Sequence, residues 1–407
     1  MRSGNKRKKG VNWPWGAGVW WGARGKSGSM TSLTIERDIV TLNETAFAVP
    51  WLRFSCPCAT CRHSASFQRI ADLSVRPDSL PEAITIELGR DGELLHITWR
   101  EDPVHHSTYR VDWLLDHAWN RSSEGQFSGE VLWDTAALGI RDMRWHDAPG
   151  CHAGLGSWTD DLFTHGFALL RGTTEAELQR LLAEFEPVHH TEYGRYADVR
   201  AVPEAEDLSE MSLNLTAHTD YPYRTVGPLL EFCYFVENQA TGGEFFFLDG
   251  FKAAEDFRTE YPAWFALLAT TPVEFEQLYS SHRYLYRLRR PVITLGPDER
   301  VQALHFGHSH AWSWQVPPER AADFYRAYHT FLKHLACEQY RVTRRFEAGE
   351  CLAFRNTRIL HGRHAFDPST GTRRLITAYI PWDQLEARMR FHRESPNYLS
   401  PPARRIP

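Results

Sequence analysis

Apolar and polar positions alternate with a period of two over Ala83-Ile84-Thr85-Ile86-Glu87-Leu88, and again over Leu94-Leu95-His96-Ile97-Thr98-Trp99. That is the pattern of strands with one face covered. Gly89-Arg90-Asp91-Gly92 between them is turn-forming, so the two runs are expected to pair as a hairpin. Asp112-Trp113-Leu114-Leu115 begins a short helical closure, and the polar stretch Asn120 to Gly125 reads as a linker. From about Cys151 the pattern changes. Trp158 to His165 is helical, Phe167 to Leu170 is a strand, and Thr174 to Phe185 is an amphipathic helix with a Thr-Glu capping start. Strand-like apolar runs follow at Leu229–Val236, Glu244–Leu248, Val292–Leu295, Gln302–Phe306, Cys351–Phe354 and Leu375–Ile380. One long helical pattern, Pro317 to Glu338, interrupts them, with prolines at its start as helices prefer.

Many short strands with a few helices outside predict a mainly β fold, a sandwich or jelly-roll barrel with flanking helices. The expected organisation is a basic extension over 1–29, a small domain over 30–125, a linker over 126–150, a larger domain over 151–395 and a tail over 396–407. At 407 residues the chain is too long for one ordinary core, which agrees with two folded domains. A hydrophobic fraction of 42% supplies ample apolar surface to bury. A net charge of −5 gives no basic excess for nucleic acid, and no apolar run approaches the length of a membrane span. The first 29 residues carry Arg2, Lys6, Arg7, Lys8, Lys9, Arg24 and Lys26 and no acid. They read as an extension ahead of a start at Met30, which implies a cytoplasmic protein; as a presequence they would direct the chain to the mitochondrial matrix.

Candidate chemistry centres on His218-Thr219-Asp220. Residues two apart on an extended segment face the same way, so this triplet can offer an imidazole nitrogen and a carboxylate oxygen to one metal. His361, after the run Cys351–Phe354, is the candidate third ligand. Two histidines and one carboxylate leave open positions for a bidentate keto acid and dioxygen, the arrangement of iron(II) oxygenases. Such a keto acid carries a second carboxylate, which suits the planar fork of an arginine. Arg373 and Arg374 lie on the following strand pattern, and alternation sends only one of them inward.

Seven cysteines in the chain include three within the run Cys56 to Cys61, and an odd count with one tight cluster points to a metal site rather than a disulfide framework. Cys56, Cys58 and Cys61 need a fourth ligand, for which His105 and His106 are the nearest candidates. A closed site of three cysteines and one histidine would be structural zinc.

Trp51 to Cys61, His218-Thr219-Asp220-Tyr221-Pro222, Thr241-Gly242-Gly243, Asp249-Gly250-Phe251, Asn356 to Arg363, Thr372-Arg373-Arg374-Leu375 and Ala378-Tyr379 occur in an order that resembles the γ-butyrobetaine and trimethyllysine dioxygenases of the taurine-dioxygenase-like superfamily. The resemblance extends over about residues 48–393. It implies a double-stranded β-helix (jelly-roll) catalytic domain preceded by a small zinc-binding α+β domain. It implies iron(II) held by His218, Asp220 and His361, 2-oxoglutarate anchored by Arg373, and zinc completed by His105. Ascorbate as an accessory reductant and assembly as a homodimer are also carried over by the resemblance. The implied reaction is hydroxylation of an unactivated C–H bond in a small cationic or zwitterionic amine, coupled to decarboxylation of 2-oxoglutarate. γ-Butyrobetaine, giving carnitine, is the best single substrate; another betaine, a trimethylammonium compound or a specialised metabolite is the alternative. A non-catalytic homologue would be expected to lose a ligand or the arginine, and all are present.

The substrate pocket departs from the family pattern. Tyr193 and Tyr379 match two positions of the aromatic cage that holds a trimethylammonium group, but Ala197 and Glu210 stand at the other two. Asp207 replaces an Asn of the γ-butyrobetaine enzymes. Tyr193, Tyr221, Tyr379, Asp207 and Glu210 are therefore the expected pocket residues.

Overall fold

The computed structural model describes residues 31–63, 66–71, 80–119, 129–138, 143–151, 156–202, 207–225, 229–311 and 314–399, with only the backbone for 392–399. The basic extension 1–29 and the linker at Asn120–Gly125 lie outside the described residues. The chain separates into two compact units, residues 1–126 with 393–407, and residues 127–392. Among the described residues no helix is long and apolar enough to cross a membrane.

The first unit is α+β. Leu33–Glu36, Ile39–Leu42 and Thr45–Ala48 form one antiparallel meander that runs into the helix Val49–Phe54. The expected hairpin is present as Ala83–Leu88 and Leu94–Trp99, and a third strand, His105–Arg110, extends it before the short helix Val111–Asp116. Inward positions of both sheets and both helices meet in one core that includes Val40, Leu42, Leu52, Leu95, Trp99, Tyr109 and Leu114.

The second unit is built on two sheets. The larger has six strands in the order Trp145–Asp147, Phe167–Arg171, Cys351–Arg355, Leu229–Asn238, Arg373–Pro381, Ala197–Arg200. The smaller has four, in the order Leu215–His218, Ile359–Arg363, Phe245–Asp249, Val342–Arg344. Phe167, Leu169, Phe235, Leu352 and Phe354 of the first meet Phe245, Phe247 and Ile359 of the second in a shared core. The outer face of the larger sheet is covered by Ser157–His165 and Glu175–Ala183, whose Trp158, Leu178 and Leu182 pack on Leu230, Phe232 and Ala353. With cover on both faces, the central strand Leu229–Phe235 is buried at every position, which is why its sequence reads as a continuous run. The helix Glu175–Ala183 begins as expected, with Thr174 Oγ1 accepting from the Glu177 amide at 3.1 Å.

Two readings of the chain are corrected here. Residues 126–150 read as a linker on sequence alone, yet Trp133 and Leu138 are buried in the shared core and Trp145–Asp147 pairs parallel with Phe167–Arg171. Their apolar side chains bury because the sheets have space for them. The tail expected over 396–407 begins inside a helix, Trp382–Leu399. The structure also contains elements that the pattern analysis does not separate: helices Gly250–Glu260 and Pro262–Thr270, and an antiparallel hairpin of Val273–Tyr279 with Tyr284–Arg290. These pack with the long helix Pro318–Leu335 in one cluster that includes Phe257, Phe265, Phe275, Phe324 and Phe331.

Candidate active site

His218 ends the strand Leu215–His218 and lies directly opposite His361 on the neighbouring antiparallel strand. Cross-strand pairing therefore brings together two histidines far apart in sequence, with ring centroids 4.2 Å apart. His218 Nδ1 lies 2.9 Å from the Thr216 carbonyl, so Nδ1 carries a proton and Nε2 is turned toward Asp220. Asp220 Oδ1 lies 3.3 Å from His218 Nε2 and 3.9 Å from His361 Nε2. All three ligand atoms fall within 4.8 Å of one another, the spacing a single metal ion needs. Burial, reinforced by His218, pushes His361 down to about 3, so it stays a neutral ligand. Burial opposes ionisation of Asp220, but hydrogen bonds with His218 and the Tyr379 hydroxyl outweigh it and hold the carboxyl well below its usual range.

Asp220 is fixed from three directions. Its amide donates to Asn356 Oδ1 at 2.8 Å, and Asn356 Nδ2 donates back to its carbonyl at 2.9 Å. The Tyr379 hydroxyl donates to Oδ2 at 2.6 Å, which leaves Oδ1 facing the histidines. The next residue, Tyr221, has φ +58°. A left-handed tyrosine is strained by about 1–3 kcal/mol, and such strain persists only where the surroundings over-determine it. Here the bend carries the chain from the ligand pair into the pocket wall.

Arg373 and Arg374 do diverge. Arg374 points out of the sheet and binds Glu175 and Asp198 at 2.8 and 2.9 Å. Arg373 is 8% exposed, lines the cavity, and its Nε has no hydrogen-bond partner among the described residues. Burial, aggravated by Arg363, lowers it to about 9. A guanidinium does not give up its proton in a protein, so Arg373 is a buried cation, a group that suits an anionic partner. Gly243, at φ +72°, leaves room: a Cβ there would come within 3.4 Å of Arg373 Nε.

His218, Asp220, His361 and Arg373 share a cavity of about 280 Å³ that is also lined by Tyr193, Asp207, Tyr221 and Tyr379. Glu210 is the exception among the expected pocket residues. Asp207, Leu208, Ser209 and Met211 line the cavity, and Glu210, which closes the same tight turn, does not. A turn of three residues sends successive side chains in different directions, and one of them faces away. Of the remaining histidines, His310 also lines the cavity, while His305 accepts from Arg290 at 2.9 Å.

Several functional residues were not singled out from sequence. Glu231, Cys233, Tyr223, Gln277 and Tyr279 also line the cavity. Glu231 is 1% exposed, 3.8 Å from His361 Nε2, and accepts from the Cys233 thiol at 3.3 Å. Burial, and then the Asp220 charge, raise its carboxyl well above the usual range. A single acid within the apolar run Leu229–Val236 is the signal that could have found it.

In the first unit the Cys56, Cys58 and Cys61 sulfurs lie 3.2, 3.6 and 3.6 Å from His105 Nε2. His106 turns the other way, its Nδ1 3.2 Å from the Thr98 hydroxyl. Each sulfur has one further polar neighbour. Ser107 Oγ donates to Cys56 at 2.9 Å, the Thr60 hydroxyl lies 3.0 Å from Cys58, and Arg53 Nη1 donates to Cys61 at 3.4 Å. Hydrogen bonding shared with Cys56 and Cys61 pulls the Cys58 thiol well below its usual range, toward the thiolate that binds metal.

Comparison with known proteins agrees with this division. Residues 139–379 match the family described as "Taurine catabolism dioxygenase TauD, TfdA family", and residues 39–115 match "Gamma-butyrobetaine hydroxylase-like, N-terminal". The chain is 32% identical to a gamma-butyrobetaine dioxygenase of Pseudomonas sp. (strain AK-1), over 83% of this chain and 88% of that protein. It is 24% identical to the gamma-butyrobetaine dioxygenase of Homo sapiens, over 86% and 92%. With the trimethyllysine dioxygenase of Meyerozyma guilliermondii it shares 25% identity, over 83% and 88%.

Proposed function

The chain belongs to the TauD, TfdA dioxygenase family, and on that premise we propose that it is an iron(II)- and 2-oxoglutarate-dependent hydroxylase of γ-butyrobetaine, giving carnitine. The observation that carries this reading is a His–Asp–His cluster, its two histidines buried, sharing one cavity with a buried arginine whose Nε has no hydrogen-bond partner among the described residues. The residues fit the expected group in number and type: two histidines and one carboxylate, converging from one side.

His218, Asp220 and His361 hold the metal, and Arg373 receives the distal carboxylate of 2-oxoglutarate. When bound, iron with 2-oxoglutarate and dioxygen supplies the oxidation, in which the keto acid is decarboxylated to succinate and one oxygen atom enters a substrate C–H bond. The protein's own contribution is position and exclusion. Thr216 sets the His218 tautomer, Asn356 clamps the Asp220 backbone, and Tyr379 occupies the second Asp220 oxygen. Buried aromatic side chains around the cavity keep bulk water from the reacting carbon. On the same reading the two sheets form a double-stranded β-helix, and Cys56, Cys58, Cys61 and His105 hold a structural zinc that closes the first unit.

Anaerobic reconstitution tests the ligand assignment. The wild-type protein is expected to bind one iron(II) at this site and to form succinate from 2-oxoglutarate only once oxygen is admitted. His218→Ala is expected to do neither while unfolding at the wild-type temperature. A His218→Ala protein that retains iron and full turnover contradicts the assignment.

A further inference from the structure

Arg363 ends the strand Ile359–Arg363, two residues beyond His361, and is 3% exposed. It lines the cavity, yet it has no part in holding metal or keto acid on the reading above. It lies opposite Leu215 on one neighbouring strand and Phe245 on the other. Its guanidinium turns to a single loop. Nη1 donates to the Leu213 carbonyl at 2.8 Å. Nη2 donates to the carbonyls of Leu208 and Ser209, each at 3.2 Å, and to that of Met211. Four carbonyls between Leu208 and Leu213 thus converge on one buried cation, whose planar fork can serve several acceptors at once.

That loop has little else to hold it. Among the described residues, no side chain from Asp207 to Asn214 belongs to a buried hydrophobic core, and Leu213 is 59% exposed. Bonds inside the loop shape a turn without attaching it. The Ser209 amide donates to the Asp207 carboxylate at 2.8 Å, and the Met211 amide to the Leu208 carbonyl at 3.1 Å. From outside, the Val202 amide donates to the Glu210 carbonyl and the Phe366 amide to that of Ser212, both at 3.1 Å. A segment with so few apolar contacts opens at small cost unless its backbone is tied down. Charge-assisted bonds are the stronger kind of tie.

The tie matters to the site because Asp207, Leu208, Ser209 and Met211 of this loop line the cavity. Arg363 refers that wall to the strand that carries His361. The second arginine of the cavity differs. Both guanidiniums lie near the Phe366 ring, Arg363 at 4.9 Å and Arg373 at 5.3 Å. Arg373 Nε has no hydrogen-bond partner among the described residues, whereas both terminal nitrogens of Arg363 are occupied by the loop. An anion at Arg363 would have to displace those carbonyls.

We propose that Arg363 is a positioning residue, which draws the loop Asp207–Leu213 against the strand bearing His361 and so fixes the wall that faces the substrate. The inference rests on the reading of the protein as a hydroxylase of γ-butyrobetaine. It gives the two arginines separate tasks. Arg373 offers its charge to an anion, and Arg363 spends its charge on shaping backbone.

The test compares wild type with Arg363→Lys, which keeps a cation without the fork, and Arg363→Met, which removes the charge. Three readouts are needed: amide hydrogen exchange, the anaerobic Kd for 2-oxoglutarate with iron(II) present, and KM and kcat for γ-butyrobetaine. In both variants exchange over residues 207–214 is expected to rise at least about tenfold, while the strand Leu229–Asn238 keeps its wild-type protection. KM is expected to rise about tenfold, kcat to change less, and the Kd for 2-oxoglutarate to stay within about twofold. Unchanged loop exchange overturns the proposal, and so does a loosened loop with an unchanged KM. A loss of 2-oxoglutarate binding as large as that of Arg373→Ala makes Arg363 a second anion anchor and also overturns it. If Arg363→Lys loses protection in Leu229–Asn238 as well, the residue supports the whole fold and the proposal falls. If wild type binds 2-oxoglutarate but leaves γ-butyrobetaine unchanged, the choice of substrate falls, while a loop that loosens in Arg363→Lys keeps the positioning role.

Discussion

Arg373 and Arg374 are chain neighbours with opposite surroundings, because a pleated strand sends successive side chains to opposite faces. Arg374 shares its charge with two acids near solvent, where an ion pair contributes little. Arg373 is buried, its Nε has no hydrogen-bond partner among the described residues, and on the proposed reading its partner is a bound anion. Arg373→Ala is therefore expected to raise the anaerobic Kd for 2-oxoglutarate by about 10- to 100-fold, as loss of charge-assisted hydrogen bonds implies. Arg374→Ala is expected to change it less than about twofold. Equilibrium dialysis with iron(II) present checks both, and equal losses would mean that the two roles are misassigned. The His–Asp–His cluster, Arg373 and the cysteine cluster are legible in the chain because each is a chemically unusual residue at a fixed spacing. Asn356, Glu231 and Tyr279 are less so. An asparagine that clamps a backbone, or a tyrosine brought to the cavity wall by a hairpin, takes its place only from tertiary neighbours. Glu210 shows the converse, a position matched by alignment whose side chain does not line the cavity.

At the scale of elements, strands buried on both faces were readable as apolar runs, and the helix at Glu175–Ala183 announced itself through its Thr174 cap. The helices Gly250–Glu260 and Pro262–Thr270 did not, because the first opens on a glycine and the second is apolar nearly all round. What starts the first helix is Asp249, which accepts from the Phe251 and Lys252 amides at 3.0 and 3.4 Å. The same carboxylate binds the buried Arg358 guanidinium at 2.8 Å, and Arg358 also donates to the Val131 and Thr164 carbonyls. The Asp249-Gly250-Phe251 and Asn356-Thr357-Arg358 segments thus meet in one buried junction beside the strand bearing His361. Asp249→Ala removes a helix cap and strands a buried cation, so it is expected to cost at least about 3 kcal/mol. Urea unfolding measures this, and a loss below about 1 kcal/mol would show that the junction has relaxed onto other partners.

For the molecule as a whole, two sites of different character serve different ends. The His–Asp–His cluster opens toward a cavity and sits on paired strands, so a metal held there is expected not to be needed for folding. The Cys–Cys–Cys–His cluster is closed, and its unit has a thin core of two small sheets and short helices. In such a unit, metal binding is folding free energy. Cys58→Ser is expected to lose zinc and lower the unfolding temperature, whereas removal of iron leaves that temperature nearly unchanged. Metal analysis together with calorimetry decides this, and a Cys58→Ser protein that keeps zinc and stability would mean the cluster is not the zinc site. The central claim is tested most directly by product stoichiometry. Protein loaded anaerobically with iron(II), 2-oxoglutarate and γ-butyrobetaine is exposed to oxygen, and succinate and carnitine are quantified together. The account predicts one carnitine for each succinate. Succinate without carnitine would contradict the substrate, and neither product from folded, iron-loaded protein would contradict the reaction itself.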